Sequence, residues 1–357
     1  MISRFGYNSL IWFLIRGCFI GVSLNNIIFI SKQDSTLSIL LAGIIGLVFL
    51  FLYFYIRNYK SDLNLFEKIN NLFGKFGFVL NIICILLALV FSIMILSDLT
   101  HFISSQFLYY TSSIVISISF MILVVYALIK DIKTISKMSL IVFFFVAFIS
   151  ILIILGLMFN INISNFMPIL HSGIKPVFKS SLIVLVYNIM PIFFLLAIPK
   201  NLVSNDNTKS SILFYFISLF SIFSVSFMTI AILDVNLSLL YEYPGFHLLR
   251  QVNIGEFVDR IEIFLSIEWI ISMCIMLIFC LYFVNTGIKS IIKVNKKWLL
   301  FEAINLIIIQ SFIVNSYLKS SIKDHNIILY FFFGIFVFLY FIISIKILLD
   351  KSKIVKN

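Results

Sequence analysis

Charge is scarce in this chain. Only 11% of its 357 residues are Asp, Glu, Lys or Arg, while 62% are hydrophobic. Soluble domains run at about 25% charged and about 45–50% apolar, so a water-soluble globular protein is excluded, and the mean hydropathy of +1.15 agrees. Cysteine is equally uninformative as a framework. Cys18, Cys84, Cys274 and Cys280 lie inside apolar segments with no CxxC spacing and no nearby histidine, which supports neither a disulfide scaffold nor a metal site. Three tryptophans and five prolines against 42 phenylalanines suggest codons drawn from an AT-rich genome, so single phenylalanines are not read as a binding cage. Nucleotide and hydrolytic motifs are missing. Gly43-x-x-Gly46 sits in an apolar helix with no strand before it and cannot form a phosphate loop, and no nucleophile is paired with a base. Neither an enzyme nor a cofactor is expected. The first apolar segment lacks a small-residue cleavage site and is expected to be retained.

What is present is a series of apolar blocks. A hydrocarbon core of about 30 Å takes about 20 helical residues. Blocks of that length fall at roughly 8–30, 36–56, 76–98, 111–129 and 138–159, then 177–199, 211–233, 258–284, 298–318 and 327–349. Ten spans result, the ninth interrupted by Glu302, Asn305 and Gln310. With the N-terminus inside, the inner segments hold 18 of the 26 basic residues and the outer segments 7, leaving Arg16 within a span. That asymmetry predicts cytoplasmic termini and an even number of spans, and it makes the net charge of +11 topological rather than a nucleic-acid footprint.

Ten spans divide five plus five, and an odd number per half turns the halves upside down relative to each other. The expected architecture is all-α and integral to the membrane, a single polytopic domain with an inverted repeat over about 8–159 and about 177–349. In such folds the first helix of each half is commonly broken near the midplane. The first span contains Arg16-Gly17 and then Gly21, and the sixth contains Tyr187-Asn188 and then Pro191. Gly17-x-x-x-Gly21 also fits a close-packing seam between helices.

Three stretches are more specific. Lys32-Gln33-Asp34-Ser35-Thr36-Leu37-Ser38 opens the second span. Asn165-Phe166-Met167-Pro168-Ile169-Leu170, with Ser172-Gly173-Ile174-Lys175-Pro176, precedes the sixth. Tyr243-Pro244-Gly245 leads through Arg250, Gly255, Glu256, Phe257, Arg260 and Glu262 to Trp269. Together they resemble the B subunit of the GerA-type spore germinant receptors, the endospore germination permease family, over nearly the whole chain. Thr36 and Leu37 stand where a tryptophan often follows the Gln-Asp pair, and Asn25-Asn26 replace an expected proline. The resemblance implies the LeuT-like fold of the amino acid–polyamine–organocation superfamily. It also implies sensing of small nutrient germinants, usually amino acids, in the inner membrane of a dormant spore. A membrane-bound A subunit and a lipoprotein C subunit would be the partners. Gln33, Asp34, Pro168, Gly173, Pro244, Gly255, Arg260, Glu262 and Trp269 are the motif positions it marks, for family identity or for coupling.

Within that frame Arg16 is the most informative residue. It lies about 12 Å into the first span at about 1.5 Å per residue, where a charge costs about 2.5–3.5 kcal/mol even on the lenient insertion scale. A structural ion pair, a contact to a ligand carboxylate or gate, and snorkelling all account for it. Glu268, about ten residues into the eighth span, is the natural partner. A zwitterionic amino acid placed between them would offer its carboxylate to Arg16 and its ammonium to Glu268. Gly17, Gly21, Tyr187 and Asn188 complete the expected ligand site, Tyr187 and Asn188 serving equally well to fill a bundle seam. Asp98 reads as a cap near the outer end of span three. The acidic segment from Asp234 to Glu262 reads as an amphipathic lid, a partner-docking surface or a solvated loop, with Glu256 and Arg260 spaced to pair and Glu262 on the face of Trp269. The four histidines, His101, His171, His247 and His325, read as surface residues, pH sensing and metal binding being the sharper alternatives. A ligand sensor is the leading reading, a cation-coupled amino acid permease the second and a non-transporting scaffold the third.

Overall fold

The computed structural model describes residues 1–250, 262–292, 298–317 and 322–356, with the side chains at 22, 250, 262, 264–265, 312–317, 322–327 and 353–356 outside the description. Among the described residues the chain is helical and has no strand, only a single bridge between Ile2 and Val203. The helices are α1 (Arg4–Arg16), α2 (Leu24–Ser31), α3 (Ser35–Asn58), α4 (Leu65–Phe73), α5 (Gly77–Gln106), α6 (Ser113–Ile129) and α7 (Ile132–Leu157). They continue with α8 (Ile174–Val184), α9 (Thr208–Leu240), α10 (Pro244–Arg250), α11 (Glu262–Ile291), α12 (Trp298–Tyr317) and α13 (Ile322–Lys356). Among the described residues seven helical stretches are long and apolar enough to cross a bilayer, and Ser113–Ile129 and Trp298–Ser311 are shorter apolar helices. This is an integral membrane protein.

The first and sixth expected spans are both interrupted. Helix α1 stops at Arg16, the chain passes through Cys18 at φ −90°, ψ 1°, makes a π-helical turn over Phe19–Ser23 and resumes as α2. Helix α8 gives way to a π-helical turn over Leu185–Ile189 and then a tight 3₁₀ segment over Met190–Ala197. Pro191 brings no N–H and crowds the preceding turn, which takes the α-helical ladder away at that point. A third irregularity bends α9 at Asp234 (φ 59°, ψ 179°). The carbonyls freed there are recaptured: Asn165 Nδ2 donates to Ile230 and Ala231 at 3.2 and 3.0 Å. Asp234 Oδ1 then accepts from Leu237 N–H at 2.9 Å and caps the continuation.

Helix α1 lies at the centre of the bundle, packed on α7, α9 and α11. Phe91 of α5 anchors the aromatic core, its ring touching those of Tyr187, Phe194, Phe332 and Phe336. The polar residues that interrupt the ninth span turn inward or bond locally. Glu302 accepts from Asn285 Nδ2 at 3.3 Å, Gln310 donates to Thr100 at 2.8 Å and accepts from Ser117 at 2.6 Å, and Asn305 donates to the Phe301 carbonyl. Gln310 and Asn305 so partnered are compatible with hydrocarbon, whereas Glu302 Oε1 is buried without a hydrogen-bond partner among the described residues. Asp98 does not cap the third span, because α5 runs on to Gln106. The described residues contain no His/Cys/Asp/Glu cluster of metal-binding geometry.

Candidate functional site

Arg16 and Glu268 meet at the end of α1. Arg16 Nη2 and Glu268 Oε1 form an ion pair whose side chains are 3% and 0% exposed, so snorkelling is excluded as the account of Arg16. Ser150 of α7 is the third member: its hydroxyl accepts from Arg16 Nη2 at 3.4 Å and lies 3.1 Å from Glu268 Oε1, to which it donates. The guanidinium also stacks over the Trp12 ring, 5.4 Å from its centroid. Arg16 Nε and Glu268 Oε2 are buried without a hydrogen-bond partner among the described residues, so the pair keeps polar capacity beyond its mutual contact. Two ions in this setting must recover the cost of desolvation from each other and from neighbouring hydrogen bonds.

One turn further along the chain the two helix breaks are tied together. Asn188, in the second break, donates through Nδ2 to the Ile15 carbonyl at 2.7 Å and accepts at Oδ1 from the Ser23 hydroxyl at 2.7 Å. A single amide therefore satisfies groups on both sides of the first break. The Gly17 carbonyl is taken by the indole N–H of Trp269 at 3.1 Å. Gly21 lies against the same indole so closely that a Cβ there would overlap the ring. Unwound backbone inside a membrane is tolerated only when such substitutes exist. Tyr187 is buried beside Asn188, its ring 6.1 Å from that of Phe91.

The motif stretches come together in two places. Gln33 Nε2 donates to the Pro168 carbonyl at 2.8 Å, and Asp34 Oδ1 accepts from Leu170 N–H at 3.0 Å, so residues about 135 positions apart in sequence clamp one loop. That loop turns at Gly173, whose φ of 77° suits glycine, directly into α8. Pro244 starts α10, which packs on α2, α9, α11 and the first break. Tyr243 beside it joins a ring cluster with Phe102, Phe246 and Trp269. Its hydroxyl bonds His101 Nδ1 at 2.8 Å, which takes His101 out of the class of plain surface histidines. Gly255, Glu256 and Arg260 lie outside the described residues, as does the side chain of Glu262; the lid reading of that segment and the proposed 256–260 and 262–269 relations fall there too.

The sequence reading overlooked Ser150, Ser23 and Trp12, because serine and tryptophan inside an apolar span carry no signal of their own. It also overlooked a second buried pair. Arg57, counted only for topology, bonds Asp206 Oδ2 through Nη1 at 2.7 Å and stacks on Tyr7, whose hydroxyl bonds that of Tyr53.

A multi-pass helical membrane protein with two interrupted helices joined around a buried ion pair is the class that fold and site define. The family model described as "Spore germination protein" matches residues 8–319, and the chain belongs to that family. It is also 23% identical over 269 residues to "Spore germination protein KB" of Bacillus subtilis (strain 168), covering 73% of this chain and 71% of that protein. The resemblance read from the three motif stretches is thereby borne out.

Proposed function

We propose that this chain is the ligand-sensing membrane subunit of a spore germinant receptor, and that its ligand is a small zwitterion, an amino acid by class. The observation that carries the proposal is the Arg16–Glu268 pair, buried where the first break meets α11 and next to the Asn188 bridge. A ligand carboxylate replaces Glu268 on Arg16, the ammonium replaces Arg16 on Glu268, and the charge count of the site stays unchanged. Exchange of partners separates α1 from α11 and gives the ligand different affinities for the paired and unpaired states, the condition for shifting a conformational equilibrium. Gly17, Gly21, Tyr187 and Asn188 line the same region of the two breaks and act as the remaining ligand contacts. The motif residues Gln33, Asp34, Pro168, Gly173, Pro244 and Trp269, with Gly255, Arg260 and Glu262, transmit the change to partners.

The proposal extends to architecture and place. Ten spans in an inverted five-plus-five arrangement, with both termini cytoplasmic, put the Gln33–Pro168 clamp and α10 on the outer face. The membrane is the inner membrane of the spore, and the partners are a membrane-bound A subunit and a lipoprotein C subunit. The test is germination of spores lacking this gene across amino acids, nucleosides and bile salts, with uptake measured in growing cells. Loss of response to one compound class, restored by the gene, supports the sensor. Normal germination combined with lost uptake of one amino acid replaces it with a cation-coupled permease.

A further inference from the structure

A second polar site lies away from the ion pair. The Gln33–Pro168 clamp and the bend of α9 border an open cleft of about 340 Å³ lined by Lys32, Gln33, Asn165, His171, Ser172 and Asp234 among others. That size falls within the usual range for small-ligand sites, about 300–1,000 Å³. Both signs of charge are on the wall. The Lys32 ammonium makes no hydrogen bond or ion pair among the described residues, and the Asp234 carboxylate spends only Oδ1 on the Leu237 N–H.

The backbone singles out the same place. Five non-glycine residues among those described have positive φ, and three of them belong to this cavity or its clamp: Lys32 (51°), Leu170 (54°) and Asp234 (59°). Each such residue costs of order 1–3 kcal/mol, and strain of this kind gathers at binding sites and switches. Here it comes from three separate segments that converge on one concavity. Lys32 ends α2 with its N–H on the Ile28 carbonyl, and the Asn165 side chain and the Asp234 carboxylate repair the bend of α9.

We propose that this cavity is a second binding site for a small zwitterionic solute of the free amino acid class, with Lys32 taking the carboxylate and Asp234 the ammonium. Its occupancy bears on the core through α8. The Asp34-to-Leu170 bond and the Gly173-to-Leu170 bond of 2.9 Å hold the start of α8, and α8 leads into the break that carries Asn188. Fixing the clamp fixes the register of that helix. The site is chemically independent of Arg16 and Glu268, and it stands or falls separately from the function proposed above.

The experiment uses the purified full chain carrying Ser172→Cys, because Ser172 is exposed on the cavity wall while Cys18, Cys84 and Cys280 are buried and Cys274 is half-buried. A polar thiol reagent is applied with and without an equimolar mixture of the free L-amino acids other than cysteine. The mixture is expected to slow labelling, both in the Ser172→Cys chain and when Arg16→Met and Glu268→Met are added. Lys32→Gln with Asp234→Asn, which keeps an amide oxygen to cap Leu237, is expected to raise the half-protecting concentration at least about tenfold, the scale of losing charge-assisted hydrogen bonds. Labelling that the mixture does not slow overturns the proposal. So does protection that survives loss of both cavity charges. Protection lost with Arg16 and Glu268 overturns it as well, by assigning the effect to the core site and leaving the function proposed above intact.

Discussion

Arg16 and Glu268 were legible as singular because a charge within an apolar run has no cheap explanation, and the structure explains each by the other. Removing one partner strands the second. Glu268→Gln is expected to destabilise the protein by about 3–5 kcal/mol, the usual cost of an uncompensated buried charge, read as a lower thermal midpoint in detergent. Arg16→Met with Glu268→Met is expected to recover most of that loss, since apolar replacement of a buried pair is often neutral or stabilising. A double variant as unstable as Glu268→Gln would show that the charges are needed for the fold itself. Gly21 makes a smaller prediction. Its contact with the Trp269 indole leaves no room for a methyl group, so Gly21→Ala is expected to cost about 1–3 kcal/mol by overpacking and to change Trp269 fluorescence. Ser150 and Ser23 escaped notice because a serine hydroxyl bonds its own helix as readily as a distant ion, and nothing in sequence separates the two. Arg57 escaped for another reason: its partner Asp206 lies 149 residues away, and no local spacing links the two.

At the scale of the element, the breaks were legible as weakened places and illegible as geometry. Arg16-Gly17 and Asn188 with Pro191 marked where the helices fail. Neither pattern specifies a π-helical turn, which depends on whether distant donors arrive to take the freed carbonyls. Asn188 and Trp269 are those donors. Asn188→Ala leaves the Ile15 carbonyl and the Ser23 hydroxyl without their partner and is expected to cost about 1–3 kcal/mol for each unsatisfied group. Amide exchange is expected to accelerate across residues 15–24 and 185–192, and unchanged exchange there would show that the two breaks do not support each other. The clamp behaves likewise. Asp34→Ala frees the Leu170 N–H, so exchange at 168–174 is expected to rise while that in α13 stays constant. The extent of α5 beyond Asp98 was misjudged because hydropathy falls before the helix ends, and the segment from Asp98 to Gln106 continues through interior contacts such as the His101–Tyr243 bond.

For the molecule as a whole, composition alone established a helical membrane protein, since hydrocarbon admits few other solutions to backbone hydrogen bonding. The motif stretches carried the family, and the match over residues 8–319 agrees with them. Span number is harder to read, because among the described residues length and apolarity single out seven stretches while Ser113–Ile129 and Trp298–Ser311 fall short and the first span is split at Arg16. The proposed function concerns this scale. If the ion pair is where a zwitterion enters, its charges serve signalling rather than stability, and the two properties separate. The most direct measurement is germination of spores whose only copy of this gene carries Arg16→Met with Glu268→Met, across the amino acid panel and with protein level checked by immunoblot. The account predicts normal protein level and loss of the response that deletion of the gene abolishes. Germination at the ordinary rate and ligand concentration, with the variant present in normal amount, would contradict it.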